Sequence, residues 1–256
     1  MSTVSNHRTM QATSKLASAF VGFMAVSAAV LLTQSAAGSH NWHRWEFLGL
    51  LVAGAVSSRL KVKLPGINGN MSVNLPFIFI AMTQLSTLEA LIVAGVSVFV
   101  QSIPKAPHKF VPVQALFNTS TALVAAALGA NTFRFVSAAT LNPELSLVLA
   151  CSMHLLASTV PVSGIISLTD NRSAFHTWSG IVQLSFPYYL ASAGLASIEA
   201  GLGGHTSWPT LVGIAFVMFV TYRSYRMYFS AMRAQQATAD PVRPAATSAK
   251  SAAAAQ

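Results

Sequence analysis

Residues 73–100 read VNLPFIFIAMTQLSTLEALIVAGVSVFV, an apolar stretch that decides the fold of the chain. Four polar residues interrupt it: Gln84, Ser86, Thr87 and Glu89. As one helix, residues 72–103 would be about 48 Å long, whereas the hydrocarbon core of a bilayer is about 30 Å thick. That helix would also place Glu89 near mid-membrane, at a cost of roughly 2.5–3.5 kcal/mol. The sequence therefore predicts a turn at 85–88, which brings Glu89 to the far interface.

The distribution of lysine and arginine supports the turn, because these residues collect on the cytoplasmic side of a membrane. With eight spans and the N-terminus inside, 13 cations fall inside and two, Arg44 and Arg134, fall outside. A single span over 72–103 would leave six inside and nine outside, and inverting that arrangement gives only 9 to 6. The predicted spans are 16–34, 46–60, 72–85, 87–103, 112–136, 143–167, 178–199 and 208–230.

Composition indicates a polytopic membrane protein. Hydrophobic residues make up 53% of the 256 residues and charged residues only 8%, and the mean hydropathy is +0.56. Soluble domains carry about 25% charged residues. The net charge of +9 does not indicate nucleic-acid binding, because the basic residues form short clusters between apolar segments. Cys151 is the only cysteine, which excludes an intramolecular disulfide.

The predicted fold is all-α: a polytopic transmembrane helical bundle of about eight spans, with both termini in the cytoplasm of a bacterium and the bundle in its inner membrane. Residues 1–15 are a cytoplasmic segment, 16–230 the transmembrane domain and 231–256 a disordered cytoplasmic tail rich in Ala, Ser and Pro. A signal peptide cleaved near Ala37 is the alternative for the first helix. Segment 72–85 is short, so it is either tilted or a half-helix buried against its neighbours.

Polar residues within the spans are the candidate ligand-binding residues, since polar groups at membrane depth face the bundle interior or line a cavity. They are Asn74, Gln84, Asn118, His154 and Gln183. The interior is expected to lack buried acids, which argues against a proton-coupled pump. No soluble catalytic motif is present, and we expect no enzymatic activity, metal or cofactor. The spacing of His40, His43 and Glu46 permits a metal site, but interfacial polar residues are the favoured interpretation.

Two stretches, LKVKLPGINGNMSVNLPFIFIAMTQLSTLEALIVAGVSVFVQ and QALFNTSTALVAAALG, carry a resemblance. Leu64-Pro65-Gly66, Ser72, the short segment with its hairpin, and Phe117-Asn118 resemble the membrane sensor regions N-terminal to bacterial GGDEF and HD-GYP signalling domains. The resemblance covers about residues 45–165. More distantly, the stretch is similar to the substrate-binding membrane subunits of energy-coupling-factor transporters. With a disordered tail predicted at 231–256 in place of an output domain, the expectation from the resemblance is a separate signalling partner or a module that works alone.

The sequence thus predicts a non-catalytic membrane module that binds a small or lipophilic ligand and signals to a cytoplasmic partner. The ligand is expected between segment 72–85 and the spans at 113–125 and 150–160, where it would shift the last helix between two arrangements. The alternative is a transporter or a substrate-capture subunit that works with a transport partner.

Overall fold

The computed structural model describes residues 2–38, 44–63, 70–104, 110–170, 172–201 and 207–239. Eight helices and a short two-stranded ribbon account for most of them. The helices are α1 (Ser2–Ala37), α2 (Arg44–Ser57), α3 (Leu75–Gln84), α4 (Thr87–Ser102), α5 (Pro112–Thr140), α6 (Pro143–Asp170), α7 (Ala174–Gly201) and α8 (Trp208–Ala239). The strands are β1 (Lys61–Lys63) and β2 (Asn70–Ser72), which pair antiparallel. The predicted helical bundle is confirmed, and the ribbon is an addition that the sequence did not predict.

The chain breaks between α3 and α4, as the length of the apolar stretch predicted. Leu85 leaves helical geometry with φ −96° and ψ 167°, and Ser86 follows in an extended conformation. The hydroxyl of Ser86 accepts a hydrogen bond from the backbone N–H of Glu89, and the Glu89 carboxylate accepts one from the backbone N–H of Ser86. This reciprocal capping box starts a new helix, so a single helix over 72–103 is excluded.

The ribbon shows that α3 and α4 fold back on each other. Lys61 pairs with Ser72, which lies three residues before the start of α3. The ammonium of Lys61 also donates to the carbonyl oxygen of Ile103, directly after α4, at 3.0 Å. The start of α3 and the end of α4 therefore lie at the same end of the bundle, and the turn at Leu85–Ser86 lies toward the other.

Helix α3 is a buried half-helix. Its ten residues give a length of about 15 Å, half of the hydrocarbon thickness. Every residue from Leu75 to Met82 is buried. Of the two forms that the sequence allowed for this segment, the structure adopts the one in which neighbouring helices cover it.

Within the described residues, four helices are long and apolar enough to cross a membrane: Lys15–Ala37 within α1, and α5, α6 and α7. The helices α2, α3 and α4 are apolar but shorter, with 14, 10 and 16 residues. These findings make the chain a membrane protein. The full count of eight spans and the orientation with both termini inside stay predictions.

Small residues let the helices approach around α5, which packs against α1, α3, α4 and α6. A Cβ atom on Gly129 would lie 2.7 Å from the Cε of Met82 and 3.3 Å from the carbonyl oxygen of Ala150. Close approach of this kind replaces the hydrophobic effect as the source of helix association in lipid. Because Gly129 has no side chain, α3, α5 and α6 can meet at this position.

Helix α8 continues to Ala239. The last helix thus extends past the apolar segment and includes 231–239, the first part of the tail that the sequence predicts to be disordered. Residues 240–256 lie outside the described residues.

Candidate functional site

The five predicted site residues do not share one environment. Asn74 and His154 are buried, with 4% and 3% of their surfaces exposed, while Gln84 and Asn118 are half-buried. Gln183 lies on an exposed face of α7, so the expectation that it faces the bundle interior is wrong. Burial is decided by the helix face that meets a neighbour, which the apolar pattern of α7 does not reveal.

His154 lies in the packed core between α3, α6 and α7. Its Nδ1 is 3.3 Å from the hydroxyl of Tyr189, and that hydroxyl is 2.7 Å from the Oγ of Ser158. The ring of Phe79, on α3, meets the imidazole edge-on at a centroid distance of 5.3 Å. The polar atoms of this Ser–Tyr–His chain bond to one another inside an apolar shell, an arrangement that stabilises helix packing.

Helix α7 holds α3 at both of its ends. The backbone N–H of Leu75, at the start of α3, donates to the hydroxyl of the buried Tyr188 at 3.0 Å. The side-chain amide of Gln84, at the end of α3, donates to the carboxylate of Glu199. These contacts run in the same order along both helices, so α3 lies parallel to the second half of α7.

A second cluster of polar side chains surrounds the turn between α3 and α4. Its carboxylate is that of the fully buried Glu89, which accepts from the Ser86 hydroxyl at 2.7 Å and from the Ser86 N–H at 3.0 Å. The guanidinium of Arg134, on α5, donates from Nη2 to the carbonyl oxygen of Leu85 at 2.8 Å. The turn is thus fixed by its own cap and by one cation from α5.

The expectation of an interior without buried acids is wrong. Glu89 is 0% exposed and Glu199 is 2% exposed. Both lie near helix ends, but both are buried and both have hydrogen-bond donors. Ser86, the N-cap of the same helix, donates to Glu89, and Gln84 of α3 donates to Glu199. A carboxylate is stable at a buried position only when it has such hydrogen-bond partners. The two buried carboxylates therefore make this end of the bundle the candidate functional region.

An open groove of about 300 Å³ lies beside the same turn, where the end of α1, the start of α4 and the second half of α5 meet. Its lining is uncharged, with polar and apolar surface in about equal shares: Leu31, Gln34, Ser35, Gly38, Ser86, Thr87, Leu88 and Asn131. None of the five predicted site residues lines it. Most of its hydroxyl and amide residues lie at the ends of the predicted apolar segments, which is the signal that the sequence offered.

Metal-ligating residues do not cluster in the described part of the chain: no group of three or more His, Cys, Asp or Glu residues there could hold an ion. His40 and His43 lie outside the described residues. The groove offers hydroxyl and amide groups, which suit hydrogen bonding to an uncharged ligand.

No protein-family model, curated protein or solved structure matches the chain. The geometry of the helices and of the groove is therefore the basis for a functional proposal.

Proposed function

We propose that the chain is a non-catalytic sensory module of a bacterial inner membrane, which binds a small, uncharged, polar ligand in the groove between α1, α4 and α5. A separate cytoplasmic partner receives the signal. The observation that carries this proposal is the contact between the groove and the turn of the α3–α4 hairpin, because Ser86 and Thr87 belong to both.

The groove has the size and chemistry of a site for a small molecule. Its volume of about 300 Å³ lies at the lower end of the range for ligand pockets. Gln34, Ser35, Thr87 and Asn131 offer both donors and acceptors, and Leu31 and Leu88 offer apolar contact. The uncharged lining disfavours an ionised ligand, whose loss of hydration needs a counter-charge.

The groove connects to the last helix through adjoining elements. Ser86 caps α4 and directly follows the end of α3, and α3 begins three residues after β2. Strand β2 pairs with β1, and β1 packs against α8. A ligand that binds one conformation of the turn more tightly than another would shift the preferred position of α3 and, through the ribbon, that of α8.

The resemblance of residues 45–165 to membrane sensor regions supports sensing over other functions of a ligand-binding bundle. In this proposal α8, which is 32 residues long, carries the response toward the cytoplasmic partner.

The test is to purify the full chain in mild detergent and measure bound small molecules by native mass spectrometry. Asn131→Leu fills one wall of the groove with an apolar side chain, while Gln183→Leu makes the same change on an exposed face of α7. We expect a bound species with the wild type and with Gln183→Leu, and its loss with Asn131→Leu. Equal retention in both variants would contradict the groove as the ligand site.

Transport is the second candidate function, and the buried Glu199 is the observation that favours it. Buried carboxylates in membrane bundles commonly belong to ion or proton pathways. A proton-coupled transporter reconstituted into liposomes with an internal pH dye would acidify the lumen when substrate is supplied, and Glu199→Gln would abolish the signal. A sensory module would give no acidification, with or without Glu199.

A further inference from the structure

The end of the bundle opposite the α3–α4 turn brings together cations from two separate segments, residues 59–61 and α8. Strand β1 lies there, because Lys61 bonds to the carbonyl oxygen of Ile103 at the end of α4. Helix α8 packs against β1. Helix α7 ends near Glu199, which contacts the end of α3 beside the turn, and α8 begins seven residues after α7 ends. The first half of α8 therefore lies toward the end of the bundle that holds the turn, and its second half is the part that reaches β1.

Two of these cations are held in place by the end of α4. The Nη1 of Arg59 donates to the carbonyl oxygens of Val100 and Ile103 at 3.3 and 3.2 Å, and the Nζ of Lys61 donates to the same oxygen of Ile103 at 3.0 Å. Positive groups at a helix C-terminus are favourable because they face its unpaired carbonyls. Arg59 and Lys61 therefore form a pair of positively charged side chains with fixed positions at the start of β1.

Two further cations extend outward from α8. Arg223 and Arg226 are exposed and lie three residues apart on the helix. The Nη1 of Arg226 is 3.4 Å from the hydroxyl of Tyr222, which orients this guanidinium beside a ring that packs on the core. Tyr228, 62% exposed, adds a second aromatic ring. Guanidinium groups bind phosphate oxygens with two parallel hydrogen bonds, and aromatic rings of this kind sit at headgroup level.

The acids of the described residues lie elsewhere. They are Glu46, Glu89, Glu144, Asp170 and Glu199, and none belongs to β1, to α8 or to the last turn of α4. Glu46 is at the start of α2, about 20 Å along that helix from Arg59. The positive potential of this surface is therefore not neutralised by a neighbouring acid of the described elements.

We propose that β1, the end of α4 and the second half of α8 form a binding surface for the phosphate headgroup of an anionic phospholipid, with Arg223 and Arg226 as its direct contacts. A lipid of the surrounding bilayer is the occupant, because the surface adjoins exposed apolar residues of α8 such as Phe219 and Val220 that would contact its acyl chains. The proposal is independent of the ligand groove, which lies at the other end of the bundle.

The experiment uses the full chain in a mild detergent, with phosphatidylglycerol or phosphatidylcholine added in increasing amounts and bound lipid measured by native mass spectrometry. We expect phosphatidylglycerol to bind more tightly than phosphatidylcholine. Arg226→Gln should weaken phosphatidylglycerol binding several-fold, and the pair Arg223→Gln and Arg226→Gln roughly 10- to 30-fold.

Arg172→Gln is the matched control. It removes one exposed positive charge from the turn between α6 and α7, outside β1, α4 and α8, and should leave lipid binding unchanged. If Arg172→Gln and Arg226→Gln weakened phosphatidylglycerol binding equally, the net charge of the protein would explain the effect, and the proposal would be overturned. Equal binding of the two lipids would overturn it as well.

Inorganic phosphate distinguishes a lipid from a free anion. We expect phosphate at tenfold excess over the lipid to displace little phosphatidylglycerol, because it lacks the acyl chains that contact α8. If phosphate alone displaced the lipid fully, the site would be one for a free anion and the lipid assignment would be wrong. Thermal unfolding of each variant, compared with that of the wild type, separates loss of binding from loss of fold.

Discussion

The side-chain amide of Gln84, the last residue of α3, donates a hydrogen bond to the carboxylate of Glu199, two residues before the end of α7. The two residues are 115 positions apart in the chain. Their contact joins a half-helix that cannot span the bilayer to a helix that can. It also supplies a donor to Glu199, one of the two buried carboxylates among the described residues, so the position of α3 and the hydrogen bonding of this carboxylate depend on the same contact.

Replacing Gln84 by leucine should destabilise the bundle by roughly 1–3 kcal/mol, because the buried Glu199 loses a donor. Changing both residues, Gln84→Leu with Glu199→Leu, should cost less than the sum of the single changes, since position 199 then holds no buried carboxylate that lacks the Gln84 donor. Thermal unfolding in detergent measures both effects. Gln183→Leu, on an exposed face of the same helix α7, is the control, and additive single and double effects would show that the pair is not coupled.

Removal of the Ser86 hydroxyl should weaken the start of α4. Ser86→Ala deletes the acceptor for the Glu89 N–H and the donor to the Glu89 carboxylate, and the expected loss is about 1–2 kcal/mol. Ser152→Ala deletes an exposed hydroxyl that bonds only within its own helix and should change stability by less than about 0.5 kcal/mol. If the two variants unfold at the same temperature, the capping box does not fix the hairpin.

Tyr188→Phe should loosen the beginning of α3, because the N–H of Leu75 loses its acceptor in a buried site. We expect faster amide hydrogen exchange at residues 75–78 and a loss of roughly 1–3 kcal/mol. Tyr228→Phe removes a hydroxyl from an exposed position and serves as the control. Unchanged exchange at Leu75 in the Tyr188 variant would contradict the two-ended attachment of α3.

A larger residue at Gly129 should separate α5 from its neighbours. In Gly129→Leu the new side chain would meet the end of Met82 and the backbone of Ala150, and the expected cost is about 1–3 kcal/mol. Met82→Ala in the same chain should recover part of that loss by making room. Gly194→Ala, where nothing lies within 4 Å of the new Cβ, should be neutral.

The orientation with both termini inside is tested by a reporter in the loop between Lys105 and Lys109 and a second one at Asn142. We expect the first to be cytoplasmic and the second periplasmic, because the charge count places 13 of 15 cations inside. A periplasmic signal from the first reporter would reverse the orientation of every span after α4.

The sequence predicted the broken helix because a helix about 48 Å long does not fit a core of about 30 Å, and the distribution of lysine and arginine agreed. Hydropathy likewise located all eight helices. It did not separate Gln84 from Gln183, since two glutamines in apolar segments have the same local pattern. Only the packing of α3 against α7 gives Gln84 a buried partner and leaves Gln183 exposed.

The buried acids and the groove were missed for a related reason. Glu89 and Glu199 lie near helix ends, and a sequence does not show that Ser86, Gln84 and the neighbouring helices enclose them. The groove joins residues near positions 31–38, 86–88 and 131, which no local pattern connects. The ribbon was missed because its strands have three residues each.

The half-helix α3 sets an order of assembly during synthesis. Its partner residue Glu199 leaves the ribosome 115 residues after Gln84, which is roughly 6–23 s at about 5–20 residues per second. Over that interval α3 is too short to cross the bilayer and has no α7 to cover its backbone and polar ends. A truncation that stops before α7 should therefore leave α3 unprotected at the translocon, a target for membrane quality-control proteases.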